Sequence, residues 1–168
     1  ALLTLLGDVL KGTAAVAIAR VFASDPGFYA SGFGTGILQS ITSNPQAAIE
    51  GFAGLSAILG HNFSLFLKFR GGKGVATSIG VLVIYSPQVA ILTLIIWLVA
   101  ALITKYSSLG AIVSFGLLPV NVFLFDPVRI KVLISAMIAL LILVRHIGNI
   151  ERLIKGAERK IGERTRGS

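Results

Sequence analysis

VATSIGVLVIYSPQVAILTLIIWLVAALI, residues 75–103, is one apolar run broken only at Ser86-Pro87, and it follows directly on the basic glycine loop Arg70-Gly71-Gly72-Lys73-Gly74. A helix needs about 20 residues to cross the hydrocarbon core of a membrane, and proline interrupts a helix. The run is therefore one kinked helix or two short antiparallel spans. The choice decides on which side of a membrane the glycine loop lies.

Charge arbitrates, because basic residues concentrate on the cytoplasmic side. If the chain turns back at Pro87, Lys11, Lys68, Arg70, Lys73, Lys105, Arg145 and six basic residues of the tail share one side. Arg20, Arg129 and Lys131 lie opposite, a division of twelve against three. A straight helix gives nine against six. The split reading predicts two spans and puts His61, the glycine loop, Lys105 and His146 on one face, the cytoplasmic one.

Working outward, Leu2 to Phe22, Ala47 to Phe66, Ser107 to Phe125 and Val128 to Val144 are further apolar segments. The expected fold is an all-α integral membrane protein, a polytopic helical bundle of about six spans over residues 1–150. Residues 24–45, with the turn signal Asp25-Pro26-Gly27, are expected to form an outer loop that dips a Phe33 to Ile41 segment into the interface. In the basic tail, 151–168, Leu153, Ile154, Ala157 and Ile161 continue a helical spacing from Ile150. Arg152, Lys155, Arg159 and Lys160 take other positions. The tail is expected to lie amphipathically on the inner membrane surface.

Composition agrees: 55% of residues are hydrophobic, 13% are charged, and mean hydropathy is +0.89. A formal charge of +8 could suggest nucleic acid, but the basic residues cluster at the ends of apolar segments with few aromatics among them, so no nucleic-acid partner is expected. The chain has no cysteine, which excludes disulfides and thiolate metal sites. Only His61 and His146 could supply imidazole, with no carboxylate cluster beside them, so neither a metal nor another cofactor is expected. The chain opens at Ala1 inside an apolar run with no recognisable signal peptide, and is expected to be truncated.

Several constellations carry possible chemistry. Glycines let backbone N–H groups approach an anion, and Lys73 adds a point charge, so the loop suits a phosphate. The competing reading is a flexible turn with a snorkelling lysine. The loop lacks the spacing of a nucleotide-binding P-loop. Asp8 and Lys11 share a helix face, either as a local ion pair or with Asp8 holding a phosphate-binding cation. His61-Asn62 closes a span before the loop and reads as a cap or as part of the site. Tyr106-Ser107-Ser108 offers hydroxyls to a polyol, or caps a helix start. Arg145-His146 and Asn149 follow the last span, either as a basic anchor or as a proton-handling group, since an adjacent arginine favours neutral histidine.

Gly60-His61-Asn62-Phe63-Ser64-Leu65-Phe66-Leu67-Lys68-Phe69-Arg70-Gly71-Gly72-Lys73-Gly74-Val75-Ala76-Thr77 resembles the second signature of the bacterial glycerol-3-phosphate acyltransferases of the PlsY type. The stretch Arg145-His146-Ile147-Gly148-Asn149-Ile150-Glu151-Arg152-Leu153-Ile154-Lys155-Gly156-Ala157-Glu158 resembles the third. Asp8-Val9-Leu10-Lys11-Gly12 and Tyr106-Ser107-Ser108-Leu109-Gly110 also look like family segments. The resemblance implies a seven-span enzyme of the bacterial inner membrane with its site toward the cytoplasm. It implies acyl transfer from acyl phosphate to the first hydroxyl of glycerol 3-phosphate, giving lysophosphatidate and phosphate. Membrane lipid and the upstream enzyme that forms acyl phosphate are the implied partners.

Carried onto this sequence, Gly71, Gly72, Lys73 and Gly74 would cradle phosphate and stabilise an oxyanion, with Lys73 neutralising the dianion. His146 and Asn149 would contact the reacting centre, with Arg145 and Asp8 as charge partners. His61, Asn62, Ser107, Ser108 and Lys11 complete the expected substrate site. Either His146 or the departing phosphate takes the hydroxyl proton, and the substrate-assisted route is preferred. The first signature, a Ser-Gly-Asn-x-Gly-Ala-Thr-Asn loop and an arginine, precedes the segment that opens this chain. The fragment is therefore expected to be inactive alone. Ser64 stands in place of a common proline and Arg70 in place of lysine. A transporter or channel for a phosphorylated metabolite, or a lipid-binding scaffold, would also use basic residues at the mouth of a bundle.

Overall fold

The computed structural model describes residues 2–25, 43–63 and 71–163. The Phe33 to Ile41 segment, Ser64, Lys68 and Arg70 lie outside the described residues. Among the described residues, eight helices follow in order: α1 (Leu2–Ala23), α2 (Pro45–Asn62), α3 (Val75–Tyr85), α4 (Pro87–Thr104), α5 (Ser107–Gly116), α6 (Leu118–Phe125), α7 (Arg129–Arg145) and α8 (Ile147–Ile154). Local chemistry sets their ends. Asn44 caps α2 by accepting from the Ala47 N–H at 3.0 Å, and Pro45 opens the helix where its missing N–H costs nothing. Pro119, in the first turn of α6, separates α5 from α6, which meet at 44°. The chain bends by 57° at His146 between α7 and α8.

The long apolar run divides at Ser86-Pro87 and doubles back. Residues from the start of α3 and from Leu94 and Trp97 of α4 line one cavity, and the Ile161 N–H donates to the Lys105 carbonyl at the end of α4, beside that same cavity. The glycine loop and Lys105 therefore lie at one end of the bundle, as the charge distribution predicts. Helix α3 has 11 residues, about 16 Å at 1.5 Å per residue, against an about 30 Å hydrocarbon core. With α4 seven residues longer, the glycine loop sits roughly 10 Å inside the end of its neighbour.

Small residues let α3 reach α1. A Cβ on Gly12 would come within 2.1 Å of the Thr77 carbonyl oxygen, and one on Gly80 within 2.1 Å of the Val9 carbonyl oxygen. The two backbones touch where side chains would hold them apart. Thr13 fastens the crossing, its hydroxyl lying 3.1 Å from both the Val9 and the Gly80 carbonyl. At the opposite end, Arg20 donates to the Ile84 carbonyl at 2.7 Å and Lys131 to the Tyr85 carbonyl at 2.9 Å. These cations satisfy carbonyls that the short helix leaves open. Glu50 holds Arg20 through bonds of 2.9 and 2.8 Å, and Asp126 holds Lys131 at 2.6 Å.

The core is built from Val16, Leu55, Ile58, Val81, Leu82, Phe115, Leu118, Ile134, Ile138 and Ile142. Large apolar side chains also cover the outside, with Ile103 at 76% and Phe123 and Leu140 at 63% exposed. A soluble protein would not spread such a surface around its perimeter, so this is an all-α integral membrane bundle. Among the described residues, α1 and α4 are long and apolar enough to cross a membrane alone. Counting each bent pair, α5 with α6 and α7 with α8, as one span gives up to four. Helix α3 is too short to meet that measure.

Candidate functional site

A cavity of about 1440 Å³ opens where the starts of α1, α3 and α5, the ends of α2 and α7, and the tail converge. It gathers Asp8, Lys11, His61, Gly72, Lys73, Gly74, Ser107, Ser108, His146 and Asn149 of the sequence-derived candidates. Gly71, Asn62 and Arg145 do not line it. Much of the remaining wall is apolar, with Ile79, Leu94, Trp97 and Phe115, and the tail adds Glu158, Arg159 and Lys160 to it.

The glycine loop is built into its surroundings. A Cβ on Gly72 would lie 2.2 Å from Nε2 of His61, and one on Gly71 2.0 Å from the His61 carbonyl oxygen. Gly74 has φ of 79°, a left-handed conformation that spares glycine alone, and it rests on the fully buried Asn62 side chain. Asn62 is thus the floor of the loop. The Arg145 guanidinium donates to the Gly71 carbonyl at 2.9 Å and to the Gly72 carbonyl at 3.2 Å. In a trans peptide the N–H points opposite to the C=O, and no described peptide bond is cis. The N–H groups of Gly72 and Lys73 accordingly face away from Arg145, as consecutive donors suited to an anion.

Asp8 lies 3.4 Å from Lys11 Nζ, so the local ion pair is present, and the same carboxylate lies 3.4 Å from Nδ1 of His61 beneath the loop. Burial pushes the Lys73 ammonium below its ordinary value. The carboxylate of Glu158 works against that shift and Arg152 adds to it. His146 is 2% exposed, and its Nδ1 lies 2.8 Å from the Ile142 carbonyl oxygen. A carbonyl only accepts, so Nδ1 carries the proton and Nε2 of the neutral ring is an acceptor on the cavity side.

Glu158 is the group that sequence reasoning missed. The helical spacing of the tail continues to Ile161, yet α8 ends at Ile154. Gly156, at φ of 64°, turns the chain back over the cavity. Glu158 then accepts from Ser108 Oγ at 2.6 Å, Asn149 Nδ2 at 2.6 Å and Arg152 Nε at 2.7 Å. Burial alone would raise this carboxyl, but the three hydrogen bonds and the Arg152 charge outweigh it and hold the group down to about 2. Ser108 is committed to Glu158, and no side chain caps α5. Gly156 was the one local signal that the helix would stop.

A family model described as glycerol-3-phosphate acyltransferase matches residues 1–156. The chain is 42% identical over 164 residues to a curated glycerol-3-phosphate acyltransferase of Neisseria gonorrhoeae (strain NCCP11945), covering 98% of this chain and 74% of the relative. A Mesorhizobium japonicum protein of the same description is 40% identical over 159 residues, covering 95% and 69%. Among solved structures, the fold is similar to crystal structures of PlsY (YgiH), an integral membrane glycerol 3-phosphate acyltransferase. The glycerol 3-phosphate form matches with a TM-score of 0.76 at 32% identity over 96% of this chain and 70% of that one. The lysophosphatidic acid form has the same score and identity, with 72% of that chain covered.

Proposed function

Because the chain belongs to the glycerol-3-phosphate acyltransferase family, we propose that it moves a fatty acyl group from acyl phosphate to the sn-1 hydroxyl of glycerol 3-phosphate, giving lysophosphatidate and inorganic phosphate. The observation that carries this reading is the glycine loop, whose N–H groups and Lys73 face a cavity with an apolar wall. A phosphate joined to an acyl chain needs both surfaces together.

In this mechanism the C1 hydroxyl oxygen attacks the acyl carbon, the bond from that carbon to the phosphate oxygen breaks, and phosphate leaves. Negative charge grows first on the acyl oxygen and then on the leaving group. Preorganised N–H donors and Lys73 stabilise both, an effect worth about 3–4 kcal/mol per donor in comparable oxyanion sites. Asn62 and Arg145 hold the loop, and Asp8 pairs with Lys11 and with His61, which lies beneath the loop. His146 and Asn149 meet the acceptor at the reacting centre, with Ser107 and Ser108 beside its hydroxyls. The departing phosphate takes the hydroxyl proton, and Nε2 of His146 orients it. The site faces the cytoplasm of a bacterial inner membrane, where the excess of lysine and arginine belongs. The tail beyond α8 lies on that face against anionic lipid, within reach of an enzyme that forms acyl phosphate.

The test is phosphate release by the full-length, detergent-solubilised protein given palmitoyl phosphate, with and without glycerol 3-phosphate. Release that requires the acceptor and yields lysophosphatidate is expected, with residual activity in His146→Ala. Acceptor-independent release, or none, would overturn the reading.

A further inference from the structure

We propose that Glu158 is a positioning residue that sets the hydrogen-bond polarity of Ser108 and Asn149, making both of them acceptors that read the hydroxyl groups of the polyol substrate. The inference rests on the acyl-acceptor reading above and names what this part of the cavity recognises.

An ionised carboxylate only accepts hydrogen bonds. Its Oε1 lies 2.6 Å from Ser108 Oγ, so the single proton of that hydroxyl is spent on Glu158 and its lone pairs remain for the cavity. The same oxygen lies 2.6 Å from Asn149 Nδ2. Whether an asparagine offers its oxygen or its nitrogen to a ligand is open in general, but here the amide nitrogen must face the carboxylate, which leaves Oδ1 for the ligand. Arg152 anchors the second oxygen of Glu158 at 2.7 Å, so the carboxylate cannot swing away cheaply. The backbone bond from Ile161 to the Lys105 carbonyl, 2.7 Å, fixes the segment that carries it.

Ser108 and Asn149 are 8% and 5% exposed, and both line the cavity. Two oriented acceptors beside a carboxylate disfavour a phosphate dianion, which has only acceptors of its own. They favour a hydroxyl, which donates. Elsewhere on the wall Lys73 and the N–H groups of the glycine loop have the opposite polarity. A small molecule with phosphate at one end and hydroxyls at the other is therefore held in one direction. Without Glu158, Ser108 and Asn149 would be free to rotate and offer O–H and N–H to phosphate.

The experiment compares binding and turnover of glycerol 3-phosphate with those of 3-hydroxypropyl phosphate, which lacks the middle hydroxyl, on full-length wild type, Glu158→Ala and Glu158→Gln in detergent. Wild type should prefer glycerol 3-phosphate by roughly 10- to 100-fold, the cost of leaving one buried polar partner unsatisfied. The preference should collapse toward unity in Glu158→Ala and be kept in part in Glu158→Gln, whose Oε1 can still accept from both groups although its amide nitrogen, a donor, loses the Arg152 anchor. A merely structural role would weaken both ligands equally and leave the ratio intact, which overturns the proposal. Should Glu158→Ala not fold, Ser108→Ala must lower the ratio while retaining affinity for inorganic phosphate; an unchanged ratio there also overturns it. Discrimination in binding without acyl transfer by wild type would sink the enzyme reading while sparing this one.

Discussion

Arg145 reaches across 74 positions of sequence to the Gly71 carbonyl oxygen, 2.9 Å from its guanidinium. That bond, with its partner at Gly72, turns the carbonyls of the loop outward from the cavity and its N–H groups inward. Arg145 also lies 5.6 Å over the Phe63 ring, which holds the guanidinium plane in place. Arg145→Lys keeps the charge but loses the planar guanidinium that stacks on Phe63 and aims one nitrogen, Nη2, at both carbonyls. The expected result is a fall of about 10-fold or more in kcat with a smaller change in KM for either substrate, since the loss is greatest in the transition state. Steady-state kinetics of the full-length variant would check this.

Lys73→Ala should cost about 10²- to 10³-fold in kcat/KM, in line with the removal of one oxyanion donor. Lys73 acts as a cation, and burial sets its titration below the ordinary value of 10.5. Activity is therefore complete at neutral pH and lost as pH rises through that lowered value, earlier than an ordinary lysine would allow. A pH profile of kcat/KM should show this alkaline limb, and Lys73→Arg should move it upward while lowering the rate.

The attachment of the tail has its own pH dependence. Glu158 titrates at about 2 in the folded protein against an ordinary 4.5. A depressed carboxyl stabilises the folded arrangement fully above the unfolded value, and that contribution fades as pH falls from 4.5 toward 2. Spin labels on Ile103→Cys and Glu163→Cys should report one short distance at pH 6 and a broadened distribution near pH 3. An unchanged distribution would show that Glu158 does not hold the tail.

Gly80→Ala should destabilise the bundle by about 1–3 kcal/mol, the usual cost of overpacking, because the new methyl group meets backbone that has no rotamer to yield. Gly7→Ala is the control, since nothing lies within 4 Å of the added atom. Thermal unfolding in detergent distinguishes them. Because α1 carries Asp8 and α3 begins directly after Gly74, the Gly80 variant should also lose activity at temperatures where the control keeps it.

Much of the fold was legible because its determinants are local. Pro87 ends one helix and begins the next, the apolar runs set the lengths, and the charge count favoured the turn that the structure contains. The glycine loop was legible for the same reason, as consecutive residues carry its chemistry. Asn62 and Gly71 read as phosphate-site residues because the one adjoins and the other belongs to that loop in sequence, and neither lines the cavity. Glu158 was hidden by a coincidence of spacing: Ile150, Leu153, Ile154, Ala157 and Ile161 keep a helical period across a point where the helix has ended. Its partner Ser108 is 50 positions away, and no pattern within the tail points to it. The link between Asp8 and His61 was concealed likewise, because it depends on how α1 crosses the bundle.

The two cations that close the end of α3 lie at the far end of the bundle from the cavity, and each is matched by a carboxylate, Arg20 by Glu50 and Lys131 by Asp126. A lone charge carried across a membrane meets the electrical potential, at about 2.3 kcal/mol per 100 mV. A matched pair moves no net charge through that field. The bundle can thus cap a short helix with strong donors at its distant end without the membrane voltage pulling those donors back, and changes in voltage should leave the crossing that frames the cavity undisturbed.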